Sequence, residues 1–206
     1  MLDFSSILFR IPALLIALTF HEYAHALAAD AMGDATPRFM GRLSINPLAH
    51  LDVLGTVMLV LAGFGWAKPV PINPNNFRNY REGMIKVSFA GPGANLFLCF
   101  ISIFILLGMA KFGVLTNGTS EFLRWTMIYN VWFAFFNLIP IPPLDGSQLL
   151  AQFLPAKTAY EYENLVGRYG FVILIVIVFS GLSNLVIGPL SSAFIKLCYS
   201  VVHLVF

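Results

Sequence analysis

Apolar residues gather along this chain in five blocks, each long enough to cross a bilayer as a helix of about 17 to 25 residues. The blocks are Ser6–Asp30, Val87–Ala110, Phe122–Ile141, Gly170–Ile187 and Pro189–Phe206, the last interrupted by Lys196 and His203. Between the first two lies a mixed segment, Ala31–Lys86, rich in Pro, Asn and Gly. Its apolar stretch, Val53–Trp66, would be about 21 Å long as a helix, too short for hydrocarbon about 30 Å thick. A re-entrant or interfacial element is expected there. The pattern predicts an all-α polytopic membrane protein with about five transmembrane helices and that one non-spanning segment. A single membrane-embedded domain should cover residues 1–206, with a core over about 6–154 and a C-terminal helical pair over about 160–206.

Composition sharpens this picture. The 206 residues are 58% hydrophobic and 11% charged, whereas soluble chains are about a quarter charged. The net charge of +2 does not point to nucleic acid as a partner; membrane lipid is the expected surroundings. Cys99 and Cys198 both lie in apolar stretches without a CxxC pair, which suits small buried hydrophobes better than a disulfide or a metal knuckle. A cleavable signal sequence would need a basic start and a small neutral cleavage site. Asp3 near the start, and His21, Glu22 and His25 ahead of Ala26-Leu27-Ala28, argue against one.

Basic residues set the expected orientation. Arg38, Arg42, Lys68, Arg78, Arg81 and Lys86 fall in the mixed segment, while the Lys111–Glu121 connection carries one lysine. The mixed segment should therefore be cytoplasmic. Counting crossings then puts Pro140–Gly146 on the same side as the end of the first helix.

That end carries His21-Glu22-Tyr23-Ala24-His25. Four residues turn a helix by about 400°, so the two imidazoles share one face about 40° apart. Both can ligate one zinc ion, with Glu22 beside them to take a proton from a metal-activated water. Polar groups inside an apolar span are costly to insert unless they serve one another or a metal. A polar interhelical cluster is the plainer alternative.

A catalytic metal site needs a third ligand and an open position. Asp30, Asp34, Asp52, Glu82 and Asp145 are the acidic candidates near the correct side. Asp145 follows the helix-breaking run Pro140-Ile141-Pro142-Pro143, and a broken helix at membrane depth is tolerated where it lines a cavity. Its alternative role is an N-cap for a helix over Gly146–Leu154.

Asn137-Leu138-Ile139-Pro140-Ile141-Pro142-Pro143-Leu144-Asp145-Gly146 fits an NxxPxxxLDG motif, and Phe89-Ala90-Gly91-Pro92-Gly93-Ala94-Asn95 contains GPxxN. Running along the chain as HExxH, GPxxN and NxxPxxxLDG, the three motifs resemble, in content and order, the site-2 protease family of intramembrane zinc metalloproteases, over most of Ile7–Leu154. The resemblance implies one zinc ion per chain on His21, His25 and Asp145, with Glu22 as the catalytic acid/base. It also implies transmembrane protein substrates and a multi-pass location in a prokaryotic cell membrane; the basic residues put the opening of the active site on the cytoplasmic side. Asn95 and Asn137 would lie near the site, where their amides could steady substrate or a developing oxyanion; an interhelical hydrogen bond is the equal alternative for Asn95. The chain resembles the short form of the family, without a PDZ or cystathionine-synthase-type domain.

The mixed segment has a possible part in this chemistry. Arg42–Asn46 alternates weakly and Phe64–Pro71 is turn-rich, so short β-hairpin elements there could receive an unwound substrate by strand addition. An interfacial loop anchored by Trp66 is the equal alternative. Two other function classes stay open on residues alone: a metal-binding transporter, because intramembrane His and Asp also mark ion paths, and a non-catalytic scaffold. His50 and His203 are unassigned, and neither substrate identity nor oligomeric state is legible in the sequence.

Overall fold

A computed structural model describes residues 4–52, 54–55 and 67–205, with side chains from residue 7 onward. Seven α-helices lie among the described residues: α1 (Phe4–Met32), the short α2 (Thr36–Phe39), α3 (Tyr80–Lys111), α4 (Asn117–Asn137), α5 (Asp145–Ala151), α6 (Ala156–Phe179) and α7 (Leu182–His203). The all-α polytopic expectation holds. Four helices, α1, α3, α6 and α7, are long and apolar enough to cross a membrane. The expected fifth, α4, has the length but carries Glu121 and Arg124 and falls outside that set.

The core forms where α1, α3 and α4 pack together. On α1 the buried stripe is Ala13, Ala17, His21, His25 and Ala29, every fourth residue. Small residues along such a ridge let a second helix come close. The facing stripe of α3 includes Val87, Gly91, Asn95, Cys99 and Ile103, and α4 adds Asn130, Val131 and Ala134. On α7, Cys198 and Val202 close an apolar cluster with Cys99, Ile103, Met127 and Val131. Near the start of α7, Leu182 and Val186 share a cavity of about 390 Å³ with Leu138 and Pro140. Helix α7 therefore runs in the same sense as α3, away from the HEYAH end.

Helix boundaries follow local chemistry. Asn79 caps α3, its side chain accepting from Glu82 N, so the helix starts seven residues before the apolar block does. Thr116 and Thr119 form a reciprocal capping box at α4, and the proline run then ends that helix at Asn137, short of the expected Ile141. The expected break at Gly188–Pro189 is corrected. It lies at Ser180–Gly181, where Gly181 adopts φ 75°, and Pro189 sits inside α7. A left-handed glycine reverses the chain with no Cβ penalty, whereas a proline is tolerated in an apolar helix when its neighbours satisfy the freed carbonyl.

The segment between α1 and α3 has no strand among the described residues. The expected hairpin is reduced there to one antiparallel bridge, Leu51 to Ala67, and Arg42–Asn46 lies in none. Most of Val53–Trp66, including Trp66, lies outside the described residues. What fixes the remainder is Asp34. Its fully buried carboxylate accepts from Thr36 N and Oγ1, Asn73 N and Asn76 Nδ2 at 2.5–3.1 Å. Arg78 N donates to Met32 O nearby, at 3.0 Å. The exit of α1 and the approach to α3 are thus joined.

Burial alone would raise the Asp34 pKa, but the hydrogen bonds from Thr36, Asn76 and Asn73 outweigh it and hold the carboxyl below its ordinary value. A depressed folded pKa contributes stability that is complete above the unfolded value of about 3.9 and is lost as pH falls through the folded one. Asp34→Asn should therefore lower thermal stability between pH 5 and 8, on the order of 1–3 kcal/mol for a buried charged acceptor. In parallel melts the gap to the parent chain should close below about pH 4; a gap independent of pH would contradict the assignment.

Candidate metal centre

Three side chains from two distant parts of the sequence converge between α1, α3 and α5. His21 Nε2 and His25 Nε2 are 3.0 Å apart, and each is 3.2 Å from Asp145 Oδ2. Four-coordinate zinc with ligand bonds of about 2.0–2.1 Å has ligand-to-ligand edges of about 3.3 Å, so the triangle has nearly the size that such an ion requires. Among the described residues this is the group of His, Cys, Asp and Glu side chains able to hold a metal. Among the described residues the buried Asp145 Oδ2 makes no hydrogen bond and has the two Nε2 atoms as its near neighbours, a costly state that a cation at this point would relieve.

The opposite edges of both imidazoles are already engaged. His25 Nδ1 lies 2.8 Å from Val87 O, and a carbonyl can only accept, so Nδ1 carries the hydrogen. His21 Nδ1 lies 2.6 Å from Asn95 Oδ1. The Asn95 amide is oriented by its other end, because Nδ2 donates to Ala17 O and to Asn130 Oδ1. Asn130 Nδ2 donates in turn to Thr126 O. With each hydrogen on Nδ1, both Nε2 lone pairs face the triangle. A ligating histidine held this way by a second hydrogen bond is the usual arrangement in metal sites.

Two glycines make room. A Cβ on Gly91 would lie 2.4 Å from His25 Nε2 and 2.6–2.7 Å from the His21 ring, so any side chain there would enter the ligand set. A Cβ on Gly146 would lie 2.2 Å from Leu138 O. Its absence lets α5 fold back onto the end of α4 and present Asp145. Helix α5 begins at Asp145 itself, with Leu144 in the N-cap position, so Asp145 is not the N-cap that the sequence also allowed. The proline turn that carries it is braced by α6, where Tyr162 Oη donates to Pro140 O and Gly170 packs on Pro142.

Glu22 is buried beside the triangle but is not one of its corners. Its Oε2 accepts from Val70 N at 3.1 Å. Asn95 is fully buried with both amide hydrogens used, which places it behind His21, in the interhelical hydrogen bond weighed for it. Asn137 is buried at the end of α4, its Nδ2 donating back to Phe133 O. Phe133 itself stacks edge-on against His21 at 4.9 Å. Sequence reasoning did not single out Gly91, Asn130, Val70 or Val87 as site residues. Of these, Gly91 left a signal as part of GPxxN and Asn130 as a polar residue within an apolar helix.

The family model of peptidase family M50 matches residues 106–177. YwhC of Bacillus subtilis, named for an inferred zinc metalloprotease activity, is 36% identical over 185 residues, covering 87% of this chain and 84% of its own. The chain belongs to peptidase family M50. Rip2 of Mycolicibacterium smegmatis, named likewise, is 30% identical over 82% of this chain and 66% of its own. MJ0611 of Methanocaldococcus jannaschii, also so named, is 30% identical over 72% of this chain and 73% of its own. No solved structure matches the chain significantly. Family M50 contains the site-2 proteases that the motifs resemble, so the triangle stands in a site-2-type metalloprotease chain.

Gly91→Ala in this M50 chain should lower zinc affinity at least tenfold in a chelator competition, the range seen when residues supporting a metal ligand are lost. Alanine favours a helix over glycine by about 1 kcal/mol, so α3 should not weaken. Unchanged zinc affinity would show that the methyl is accommodated and the close approach is not required.

Proposed function

We propose that the chain is a zinc-dependent intramembrane endopeptidase, hydrolysing peptide bonds within or near transmembrane segments of membrane-protein substrates. The observation that carries the reading is the triangle of His21 Nε2, His25 Nε2 and Asp145 Oδ2, with both Nδ1 hydrogens directed elsewhere. Two neutral imidazoles and one carboxylate suit zinc. A dication here would also balance Asp145 and Glu22, two carboxylates near membrane depth.

Zinc bound to His21, His25 and Asp145 supplies Lewis acidity, acidifying water toward a pKa of about 7 and polarising a carbonyl oxygen. The residues of the chain do the rest. Val70 N–H fixes Glu22 Oε2 and leaves Oε1, without a hydrogen bond among the described residues, to serve as general base. Glu22 takes a proton from the attacking water and returns it to the departing amine nitrogen. Water reaches the site past Asp145, whose side chain is 20% exposed while His21 and His25 are nearly enclosed. The basic residues between α1 and α3 support a cytoplasmic opening. A substrate helix would enter laterally and unwind to expose a peptide bond. Glu22 stands outside the ligand set, which favours hydrolysis over metal transport, since a transporter has no need of an unligated base.

The test is cleavage of a transmembrane substrate in liposomes, with chelation, zinc restoration and Glu22→Gln. Chelation should abolish cleavage and zinc should restore it. Glu22→Gln should lower kcat by about 10²–10⁴-fold, the usual contribution of a positioned base, while zinc stays bound. Cleavage that survives Glu22→Gln would overturn the mechanism, and zinc flux without cleavage would favour a transporter.

A further inference from the structure

The segment between α1 and α3 contains a buried cation that the metal centre does not use. Arg42 is 4% exposed, and its guanidinium donates to three backbone carbonyls: Nη1 to Ala49 O, and Nη2 to Lys68 O and to Pro69 O, the last at 3.0 Å. All three acceptors are neutral. Burial works against the charged form, and the field of the Glu22 carboxylate offsets part of that cost. Burying a guanidinium is expensive unless it is multiply hydrogen-bonded and near an opposite charge, so this arrangement fixes Arg42 in one place and the carbonyls with it.

The next residue along the chain is Val70, also buried, whose N–H is the donor to Glu22 Oε2. Its neighbours are Pro69 and Pro71, and proline has no N–H. The stretch Pro69-Val70-Pro71 therefore offers one backbone donor, and that donor meets the Glu22 carboxylate. Lys68 N, on the other side, is taken by His50 O at 2.9 Å. A free glutamate rotates about three side-chain bonds, and among the described residues Val70 N–H is the hydrogen-bond donor that holds this one.

We infer that Arg42 is a positioning residue for Glu22. By gripping the Lys68 and Pro69 carbonyls it keeps the only N–H of the Pro-Val-Pro stretch on Oε2, and so keeps Oε1 aimed at the reacting water. The inference rests on Glu22 being the general base. Arg42 itself touches neither the metal ligands nor Oε1; it acts through the backbone. Lysine is no substitute, because one ammonium does not reproduce the planar fork that spans several carbonyls.

The experiment compares Arg42→Lys, Arg42→Ala and Val70→Pro with the parent chain in liposomes. Zinc content, steady-state cleavage and hydrogen exchange at the Val70 amide are measured together. Misdirecting a catalytic group by about 1 Å costs up to about 100-fold in rate. Arg42→Ala and Val70→Pro should therefore lower kcat by about 10–100-fold, with KM and zinc stoichiometry unchanged. Arg42→Lys should fall between. The Val70 amide should exchange faster in Arg42→Ala, and also in Glu22→Ala, which removes the acceptor. Val70→Pro tests the same contact with the Arg42 clamp intact, should Arg42→Ala not fold. Undiminished kcat in the zinc-loaded variants, or equal Val70 protection with and without Arg42, overturns the inference while leaving the proteolytic reading in place. Absence of zinc-dependent cleavage by the parent chain overturns that reading, and the inference with it.

Discussion

Between α1 and α3 the helices approach so closely that a Cβ on Gly91 would lie 2.4 Å from His25 Nε2. The ligand triangle occupies that gap, and the rest of the molecule can be understood as the means of making and keeping it. The four-residue spacing of Ala13, Ala17, His21, His25 and Ala29 provides a ridge of small side chains in which two imidazoles take places that alanine holds elsewhere. Close packing comes first; the polar groups are admitted because α3 supplies a partner for each. Val87 O and the Asn95 amide face His25 and His21. In an apolar setting an unsatisfied imidazole N–H would be expensive, so the same hydrogen bonds that make the site tolerable also select its tautomers.

The third corner arrives by a different route. Asp145 lies 120 residues beyond His25 in sequence, and no helix could carry it inward from α4 without a sharp reversal. The proline run supplies the reversal, Gly146 lets the returning backbone lie against Leu138 O, and α6 supports the turn from outside through Tyr162 and Gly170. Glu22, the proposed base, is held by yet another element, the segment around Val70, tied down by Arg42 and Asp34. Ligands and base thus rest on separate supports. The metal could be bound well by a chain in which Glu22 is badly aimed.

Much of this was legible in the sequence, and the reasons for what was not are physical. HExxH spacing fixes two imidazoles on one helical face whatever the tertiary structure, so that pair could be read directly. Asp145 needed the motif around it, because nothing local to an aspartate after a proline turn reveals what it will meet. Asn95 could be placed near the site but not assigned to His21, since an amide in an apolar helix signals a partner without naming it. Gly91 belongs to the GPxxN motif, but the motif does not say which side chains come to lie against it. A glycine that matters for the side chain it lacks leaves no periodic trace. The reversal falls at Gly181 and not at Gly188–Pro189 because, of these two glycines, Gly181 is the one that takes the left-handed conformation, and a backbone angle leaves less trace in a sequence than a proline does.

The claim on which the account turns is that one metal ion joins His21, His25 and Asp145. X-ray absorption at the zinc edge of the purified chain tests it most directly. The account predicts a shell of nitrogen and oxygen at about 2.0–2.1 Å, with the outer-shell signature of two imidazoles and no sulfur. That signature should fall to one imidazole in His25→Ala and keep both in Asp145→Ala, at reduced zinc occupancy. A sulfur shell near about 2.3 Å, or a spectrum indifferent to these substitutions, would place the metal elsewhere and contradict the account.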